Sequence, residues 1–298
     1  MKTDMRSREI LPGNFDERLF VCMKTSLDRY THRHIPWHWH DAFEIDYVLQ
    51  GSMTFKTADD HCTLKQGDML FINQNVLHDY RGDEAGGCVV YALLFDMHFL
   101  SGLYNSELER KYFLPVKEGG MDFYSFSPDS NERLEIARLF LRAIDDLRDE
   151  PFGYELALRS ELSRIWIMLL KETEGLRSGG VKVKSADSER IKKMIEYIHT
   201  NYPEKVTEED IAAAAGLSVR ECCRCFERSI GIPPVKYLTM YRLHAAAEKL
   251  LETDASILDV SEACGFSSSS YFGKVFSEAM GCTPREYRLS GGVMQTDG

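Results

Sequence analysis

Four residues between positions 38 and 78 carry side chains of the types that bind divalent metal ions. His38 and His40 alternate along a predicted strand and so lie on one face, Glu44 follows them, and His78 comes after the turn at Gly67-Asp68. Imidazole nitrogens and carboxylate oxygens are ligands for zinc, nickel, iron or manganese. The set predicts either a divalent metal site or a group of side chains that hydrogen-bond a small molecule or one another.

A second group of residues, nearer the C-terminus, has the spacing of a DNA-reading helix. Arg220, Arg224 and Arg228 recur every four residues, so on a helix they form one basic stripe. Cys222, Cys225 and Phe226 lie between them and are predicted to face a core. One face of this helix is therefore suited to reading DNA, and the other to packing.

Two turn-helix segments share one order of parts. Residues 207–231 and 256–281 each predict a short helix, a turn at Gly216 or Gly265, and a second helix that begins at a Ser. Three capping boxes mark the helix starts: Thr207 with Asp210, Ser218 with Glu221, and Ser256 with Asp259. This order is that of a helix-turn-helix, which places its second helix in the DNA major groove.

The second unit is less basic than the first. Phe272 and Phe276 give its second helix a buried face, and a Ser within residues 267–270 is expected to cap it. Its outward positions are Ser269, Ser270, Gly273 and Lys274. We expect this helix to contact phosphates, through its N-terminal amides and Ser hydroxyls, more than base edges.

The net charge limits how such a protein can bind DNA. The chain has 36 basic and 47 acidic residues, a net charge of −11, and its C-terminal part is also acidic overall. Affinity must come from local placement of a few cations, and non-specific binding should be weak and salt-sensitive. The cations available for this are Arg220, Arg224, Arg228, Lys274, Arg285 and Arg288.

The eight cysteines are expected to be reduced thiols in a cytoplasmic protein. The first residues contain no apolar segment of signal-peptide length, and no run of about 18 apolar residues predicts a membrane span. The cluster Cys222, Cys223 and Cys225 lacks the paired Cys-x-x-Cys of a zinc knuckle. We expect it to fill a core, with Cys223 facing the DNA groove; a sensor role is the alternative.

The N-terminal part changes from strands to helices along its length. β-rich runs between about residues 17 and 100, separated at Gly51-Ser52, Gly67-Asp68 and Gly86-Gly87, predict a β-barrel. Residues 129–176 have helical periodicity, and residues 177–187 have the composition of a linker. One apolar stripe comprises Leu134, Ala137, Leu141, Ile144 and Leu147, and another comprises Leu158, Leu162, Ile165 and Leu169.

Residues 187–289 resemble the tandem helix-turn-helix domain of the AraC/XylS family of bacterial transcription regulators. The pattern Gly-Phe, then Tyr-Phe-x-x-x-Phe, then Gly-x-Thr-Pro-x-x-Tyr-Arg runs from Gly265 to Arg288. The resemblance implies that the base-facing positions are Arg220, Cys223 and Arg224 in the first unit and Ser269, Ser270, Gly273 and Lys274 in the second.

Residues 38–51 resemble the first cupin motif, His-x-His-x3-Glu-x6-Gly, at every position. The second cupin motif is partial, because Asn73 and Asn75 replace its usual Pro and Gly. We expect Asn to tolerate the left-handed backbone there. The resemblance implies a cupin-like fold and leaves metal binding open, since similar regulators often keep this motif in a ligand pocket without a catalytic metal.

The two resemblances together imply a multi-domain α+β protein. Residues 1–128 are predicted to form a cupin-like effector-binding β-barrel, residues 129–176 a helical dimerisation segment, residues 177–187 a linker, and residues 188–298 an all-α DNA-binding domain with two helix-turn-helix motifs. The candidate pocket residues are Trp37, His38, His40, Glu44, Phe55, His78 and Tyr91.

This layout implies a sequence-specific transcription regulator rather than an enzyme. It is expected to bind promoter half-sites in double-stranded DNA as a homodimer, in response to a small-molecule effector. A sugar is suggested by analogy with the family alone, and RNA polymerase is a partner if the protein activates transcription. Two alternatives stay open: a metal-dependent cupin enzyme fused to a DNA-binding module, and a metal-sensing regulator.

Overall fold

Two compact units make up the chain. The computed structural model describes residue 11, residues 15–175 and residues 186–290. One unit comprises the described residues of Glu9–Leu27 and His38–Lys184, and the other comprises those of Asp28–Trp37 and Ser185–Gly298. The domain boundaries predicted from the sequence remain predictions, and residues 177–185 of the predicted linker lie outside the described ranges.

Two sheets carry the strands of the N-terminal half. The strands are β1 (Phe20–Ser26), β2 (His34–His38), β3 (Phe43–Gln50), β4 (Ser52–Thr57), β5 (His61–Lys65), β6 (Met69–Ile72), β7 (His78–Gly82), β8 (Val89–Phe95) and β9 (Phe123–Phe126). The strand orders are β1-β8-β3-β6-β9 and β2-β7-β4-β5. Gly51 and Gly67 have φ values of 75° and 90°, which confirms the predicted turns.

The central strand β3 separates two environments by simple alternation. Phe43, Ile45 and Tyr47 belong to the apolar core that includes the helices after the barrel, so they point away from the second sheet. Glu44 and Asp46 point the other way, and Tyr80 of β7 contacts both of them. The inner faces of the two sheets therefore meet around the carboxylates of β3.

Four helices cover the outer face of the first sheet. They are α2 (Met97–Ser101), α3 (Leu114–Lys117), α4 (Asn131–Asp149) and α5 (Tyr154–Glu172), with a π-helical turn over Glu109–Phe113 before α3. The short helix α1 (Phe15–Arg18) packs on the other face, where Phe15 lies with Ala92 and Leu94. The buried stripe of α5 is confirmed, because Leu158, Leu162, Ile165 and Leu169 are all buried. Trp166 of α5 packs on Phe43, 4.9 Å between ring centroids.

The stripe predicted for α4 is partly wrong. Its packed face is centred on Ile136, Phe140 and Ala143, all fully buried, whereas Leu134 is 37% exposed. The spacing i, i+4, i+7 places these three on one side of the helix, and the bulk of Phe140 directs that side to the sheet. Leu134 and Leu141 lie beyond the edge of this face, where Leu141 is half-buried, whereas Ala137 and Ile144 of the predicted stripe are buried.

The second unit is helical from residue 186 onward, and it also includes Asp28–Trp37, which contain most of β2. Its helices are α6 (Ala186–Asn201), α7 (Glu208–Ala214), α8 (Val219–Ile230), α9 (Pro234–Glu252), α10 (Ile257–Ala263), α11 (Ser269–Met280) and α12 (Pro284–Leu289). The three predicted capping boxes are confirmed at Thr207, Ser218 and Ser256, and Ser268 caps α11. The two helix-turn-helix units are α7 with α8 and α10 with α11.

Two arginines hold the helical unit together through backbone carbonyls. Arg242 donates to the carbonyl oxygens of Tyr202, at 2.8 Å, and Glu204, at 2.7 Å. Arg288 donates to those of Leu250, at 3.0 Å, and Ala255, at 2.7 Å. The sequence counted Arg288 among the DNA-facing cations, which is wrong, since its guanidinium is used to satisfy carbonyls around a helix end.

No helix among the residues that the structure describes is long and apolar enough to cross a membrane.

Replacing Gly265 by Ala should destabilise the helical unit more than replacing Gly216 by Ala. Both glycines have a left-handed backbone conformation, with φ of 77° at Gly265 and 67° at Gly216. This conformation costs a residue with a Cβ atom about 1 kcal/mol. A Cβ atom at position 265 would also clash with the carbonyl oxygen of Tyr202, whereas nothing lies within 4 Å of one at Gly216.

We expect the free energy of unfolding to fall by about 1 kcal/mol for Gly216→Ala and by about 3 kcal/mol for Gly265→Ala. Urea titration followed by far-UV circular dichroism measures both losses. Equal losses in the two variants would contradict the steric account of Gly265.

Candidate effector site and DNA-reading surface

Three of the four predicted ligand residues meet inside the barrel. Their ligand atoms, from His40, Glu44 and His78, all lie within 4.8 Å of one another. His40 Nε2 is 2.8 Å and His78 Nε2 is 3.8 Å from the same Glu44 oxygen, Oε2. Glu44 lies in β3 of the first sheet and His78 in β7 of the second, whereas His40, predicted to lie on a strand, is in the connection between β2 and β3.

The other ring nitrogen of each of these histidines is fixed by the backbone. His40 Nδ1 is 3.0 Å from the carbonyl oxygen of Ala42, and His78 Nδ1 is 2.8 Å from that of Val76. A carbonyl can only accept a hydrogen bond, so each Nδ1 carries a proton and donates. Each Nε2 is thereby directed toward Glu44, which is the arrangement that second-sphere bonds give to metal-binding histidines.

His78 has the properties of a neutral ligand. Burial, reinforced by the nearby His38 and His40, holds the pKa of His78 well below its usual value. Its Nε2 atom is buried and has no hydrogen-bond partner in the part of the chain that the structure describes. A lone pair in this position costs free energy unless an ion or another donor meets it. These three side chains therefore fit a divalent cation.

Two residues that the sequence reasoning missed extend this cluster. Tyr80 donates a 2.7 Å hydrogen bond to Asp46 Oδ2, and its hydroxyl is 3.3 Å from Glu44 Oε1. Burial, and then the neighbouring Glu44, raise the pKa of Asp46 well above its usual range. The period of two along a strand could have identified both residues, because each lies two positions after a predicted one, Glu44 or His78.

His38 and Phe55 lie beside the three-residue cluster without completing it. The His38 ring packs 4.2 Å from the His78 ring and 6.3 Å from the His40 ring, measured between centroids. Phe55 is fully buried and packs 5.5 Å from the His78 ring. Both therefore form walls of the cluster, as the sequence predicted for Phe55.

Trp37 and Tyr91 do not lie with the other candidate pocket residues. Tyr91 pairs with Tyr47 across β8 and β3 and packs on the helical side of the sheet, opposite to Glu44. Trp37 precedes His38 directly in β2, so alternation turns its buried side chain to the other face. Apolar character alone does not reveal the face of a strand, which is why the sequence placed both in the pocket.

Asn75 confirms the expectation for the altered second cupin motif. Its φ is 60°, in the left-handed region. Asn73 has a different function, because its side-chain amide donates to the carbonyl oxygens of Val116, at 2.8 Å, and Met121, at 2.9 Å. These bonds attach the β6–β7 connection to the segment before β9.

The helix α8 presents its arginines to solvent as the stripe predicts. Arg220, Arg224 and Arg228 are exposed, whereas Cys223 is half-buried. Glu221 accepts from the Ser218 hydroxyl at 2.8 Å, so its charge is part of the helix cap. Arg228 forms an ion pair with Asp187 of α6, which leaves Arg220 and Arg224 as the cations of α8 without a carboxylate partner among the described residues.

The helix α11 presents a mostly polar surface. Ser269, Ser270 and Lys274 are exposed and Gly273 is half-buried, while the rings of Phe272 and Phe276 are fully buried. Lys274 Nζ lies 3.9 Å from Glu278 Oε1. The polar and charged side chains predicted to face DNA on α8 and α11 are therefore exposed, with less positive charge on α11 than on α8.

The cysteines of α8 are suited to packing rather than to redox chemistry. Burial raises the pKa of Cys222 to about 12 and that of Cys225 to about 11, so both are thiols at neutral pH. All eight cysteines are free, and Cys222 Sγ contacts Met194 Sδ at 3.4 Å.

Comparison with known proteins supports both halves of this architecture. Residues 25–165 match a family model described as an AraC-like ligand binding domain, and residues 211–290 match one described as a helix-turn-helix domain. A Bacillus subtilis protein, the uncharacterized HTH-type transcriptional regulator YdeC, is 29% identical over 286 residues, which are 96% of this chain and 97% of that protein.

Two further known proteins align with most of the chain. The HTH-type transcriptional activator RhaS of Enterobacter sp. is 26% identical over 256 residues, 85% of this chain and 87% of that protein. The crystal structure of ToxT from Vibrio cholerae aligns with a TM-score of 0.46 and 11% identity, covering 91% of this chain and 98% of that one. With a ligand-binding domain followed by a helix-turn-helix domain, the chain belongs to the AraC family of transcriptional regulators.

Proposed function

We propose that Arg220 and Arg224 of α8 carry the base reading of this regulator. The observation that supports this is their position: both are exposed on one side of a helix whose other side is buried, and neither has a carboxylate within 4.0 Å among the described residues. Arginine side chains contact guanine edges in the major groove through paired hydrogen bonds. Cys223 lies between them and contacts a base by packing.

The helix α11 contributes mainly contacts to the DNA backbone. The first-turn amides of α11, together with the hydroxyls of Ser269 and Ser270, form a polar helix start that suits a phosphate. Gly273 allows the backbone to approach closely, and Lys274 adds one positive charge. The two helix-turn-helix units therefore have unequal tasks, and α8 determines the sequence that is bound.

The barrel provides the regulatory input, since two atoms of its buried polar cluster, Asp46 Oδ1 and His78 Nε2, have no hydrogen-bond partner among the described residues. His40, Glu44, Asp46, His78 and Tyr80 are each at most 5% exposed. Side chains packed this closely accept an ion as they stand, and an effector of sugar size requires the strands to separate. A ligand that binds one arrangement of the barrel, linker and DNA-binding domain more tightly than another shifts the occupancy of two DNA half-sites. The difference between the two affinities sets the size of this shift.

Metal sensing is the second candidate function, and the three converging residues His40, Glu44 and His78 favour it. When bound, a zinc or nickel ion would supply a positive charge that neutralises Glu44 and satisfies the His78 nitrogen. The relatives are transcription regulators, and we propose that the site serves regulation rather than catalysis.

A homodimer is the proposed assembly, because two DNA half-sites require two DNA-binding domains. The edge of α4 supplies a candidate contact, where Leu134 is 37% exposed and Leu141 half-buried. RNA polymerase is the further partner if the protein activates transcription. Since its target is promoter DNA, we place the protein in the cytoplasm.

Replacing Arg224 by Ala should weaken binding to the upstream DNA of the protein's own gene by about 1–3 kcal/mol and relax its sequence preference. Arg228→Ala should cost less, because Arg228 is paired with Asp187. Fluorescence anisotropy with labelled DNA at low salt measures both, and Arg148→Ala, in an exposed position of α4, is the control. Equal affinities of wild type and Arg224→Ala would contradict this reading of α8.

Zinc should bind at about one ion per chain and should be lost in His78→Ala. Elemental analysis after dialysis measures the stoichiometry, and the exposed His61→Ala is the matched control. At free zinc hundredfold above Kd, the ion should stabilise wild type by about 2.7 kcal/mol against unfolding. A zinc content unchanged by His78→Ala would exclude the barrel cluster as the metal site.

Leu134→Glu should shift the protein from dimer toward monomer, since it places a charge in the proposed apolar contact. Sedimentation equilibrium gives the dissociation constant, which we expect to rise about tenfold or more. Lys117→Glu, in an exposed position of α3, is the control. An unchanged dissociation constant would place the interface elsewhere.

A further inference from the structure

An open apolar groove lies on the outer face of α5, on the opposite side of the first sheet from the histidine cluster. Its volume is about 630 Å³, within the range of about 300–1,000 Å³ that is usual for small-molecule sites. Leu100, Leu108, Trp166, Ile167 and Leu170 supply its apolar surface. Neither the metal hypothesis nor DNA reading gives this groove a function.

The helix α5 has two apolar faces, and the groove uses the second one. Ser163, Trp166, Ile167, Leu170 and Lys171 follow one another at the spacing i, i+3, i+4, i+7, i+8, so they form one side of the helix. The packed stripe that begins at Leu158 is on another side. Because Ile167 is 52% exposed, this second face is not fully buried in the core of the unit.

The floor of the groove is held rigidly. The Trp166 ring stacks on Phe113, with centroids 4.8 Å apart and planes 7° apart, and its indole N–H donates to the carbonyl oxygen of Tyr112 at 3.1 Å. The buried Glu109 at the start of the π-helical turn accepts a hydrogen bond from the backbone N–H of Asn105. A ligand would meet a formed surface and would not have to order it.

The charged residues of the groove select the ligand. Lys111 and Lys171 both line it and are exposed, and neither has a carboxylate within 4.0 Å among the described residues. Glu174 lines it as well, so two positive charges face one negative charge. The groove thus combines an apolar body with a net charge of +1, which is complementary to one anionic group.

We propose that this groove binds an amphipathic monocarboxylate, whose apolar part lies over Trp166, Ile167 and Leu170 and whose carboxylate lies near Lys111 and Lys171. The site is separate from the barrel cluster and requires no metal. Because the proposal concerns binding to the N-terminal unit alone, it does not depend on the proposed DNA contacts.

Decanoate is a suitable probe, and titration calorimetry with the full chain measures its binding. Ile167→Asp should weaken decanoate at least about tenfold, because it places a negative charge on the apolar surface. Leu156→Asp is the matched control, since Leu156 is also an exposed apolar residue of α5, at 74% exposure, and does not line the groove. Far-UV circular dichroism establishes that both variants are folded.

The charge selection is tested with a second pair of variants and a second ligand. Lys171→Gln should weaken decanoate about threefold to fivefold, as expected for an exposed ion pair, and should leave the affinity for decanol unchanged. Lys117→Gln, outside the groove, should change neither affinity.

Two results would overturn the proposal. One is a wild-type protein that does not bind decanoate; if Ile167→Asp also loses the dimer, measured by light scattering, the groove is then covered by a second copy of the chain. The other is an affinity for decanoate that is the same after Ile167→Asp as before.

Discussion

The burial of two carboxylates on one face of β3 is the constraint on which the N-terminal unit depends. Phe43 and Ile45 must face the helices, and alternation then forces Glu44 and Asp46 into the space between the sheets. Charges in such a place are costly unless they are paired, protonated or bound to an ion. The raised pKa of Asp46 favours its uncharged, protonated form, and His40 lies beside Glu44 as a potential partner for its charge.

This constraint links stability to regulation. Replacing the cluster by apolar residues would remove its desolvation cost, so stability alone does not account for a polar cluster at this position. A ligand would gain most at the Nε2 atom of His78, because this buried atom has no hydrogen-bond partner among the described residues. An ion or donor bound there would stabilise the closed form of the barrel and not an opened one, and this difference is what a switch requires.

Local spacing predicted the parts of the fold that depend on neighbours along the chain. The capping boxes, the glycine turns and the buried side of α8 are set within a few residues of each other, so they could be read from the sequence. The alternation of side chains along a strand would also have identified Asp46, two residues after Glu44. The spacing along the chain does not reveal which distant group an arginine contacts. Arg288 donates a hydrogen bond to the carbonyl oxygen of Leu250, and Arg228 forms an ion pair with Asp187.

These distant partners change the argument about DNA affinity. A chain with a net charge of −11 has few cations to place on DNA, and its structure uses Arg288 for carbonyls and pairs Arg228 with Asp187. Each phosphate contact that is lost in this way lowers non-specific binding and its dependence on salt. Under the proposed function, specific recognition by a homodimer would depend on Arg220 and Arg224 of each subunit, so promoter occupancy would depend on whether both DNA-binding domains are positioned together. With weak electrostatic attraction, a modest change in the ligand-binding domain would then be sufficient to control DNA binding in the proposed mechanism.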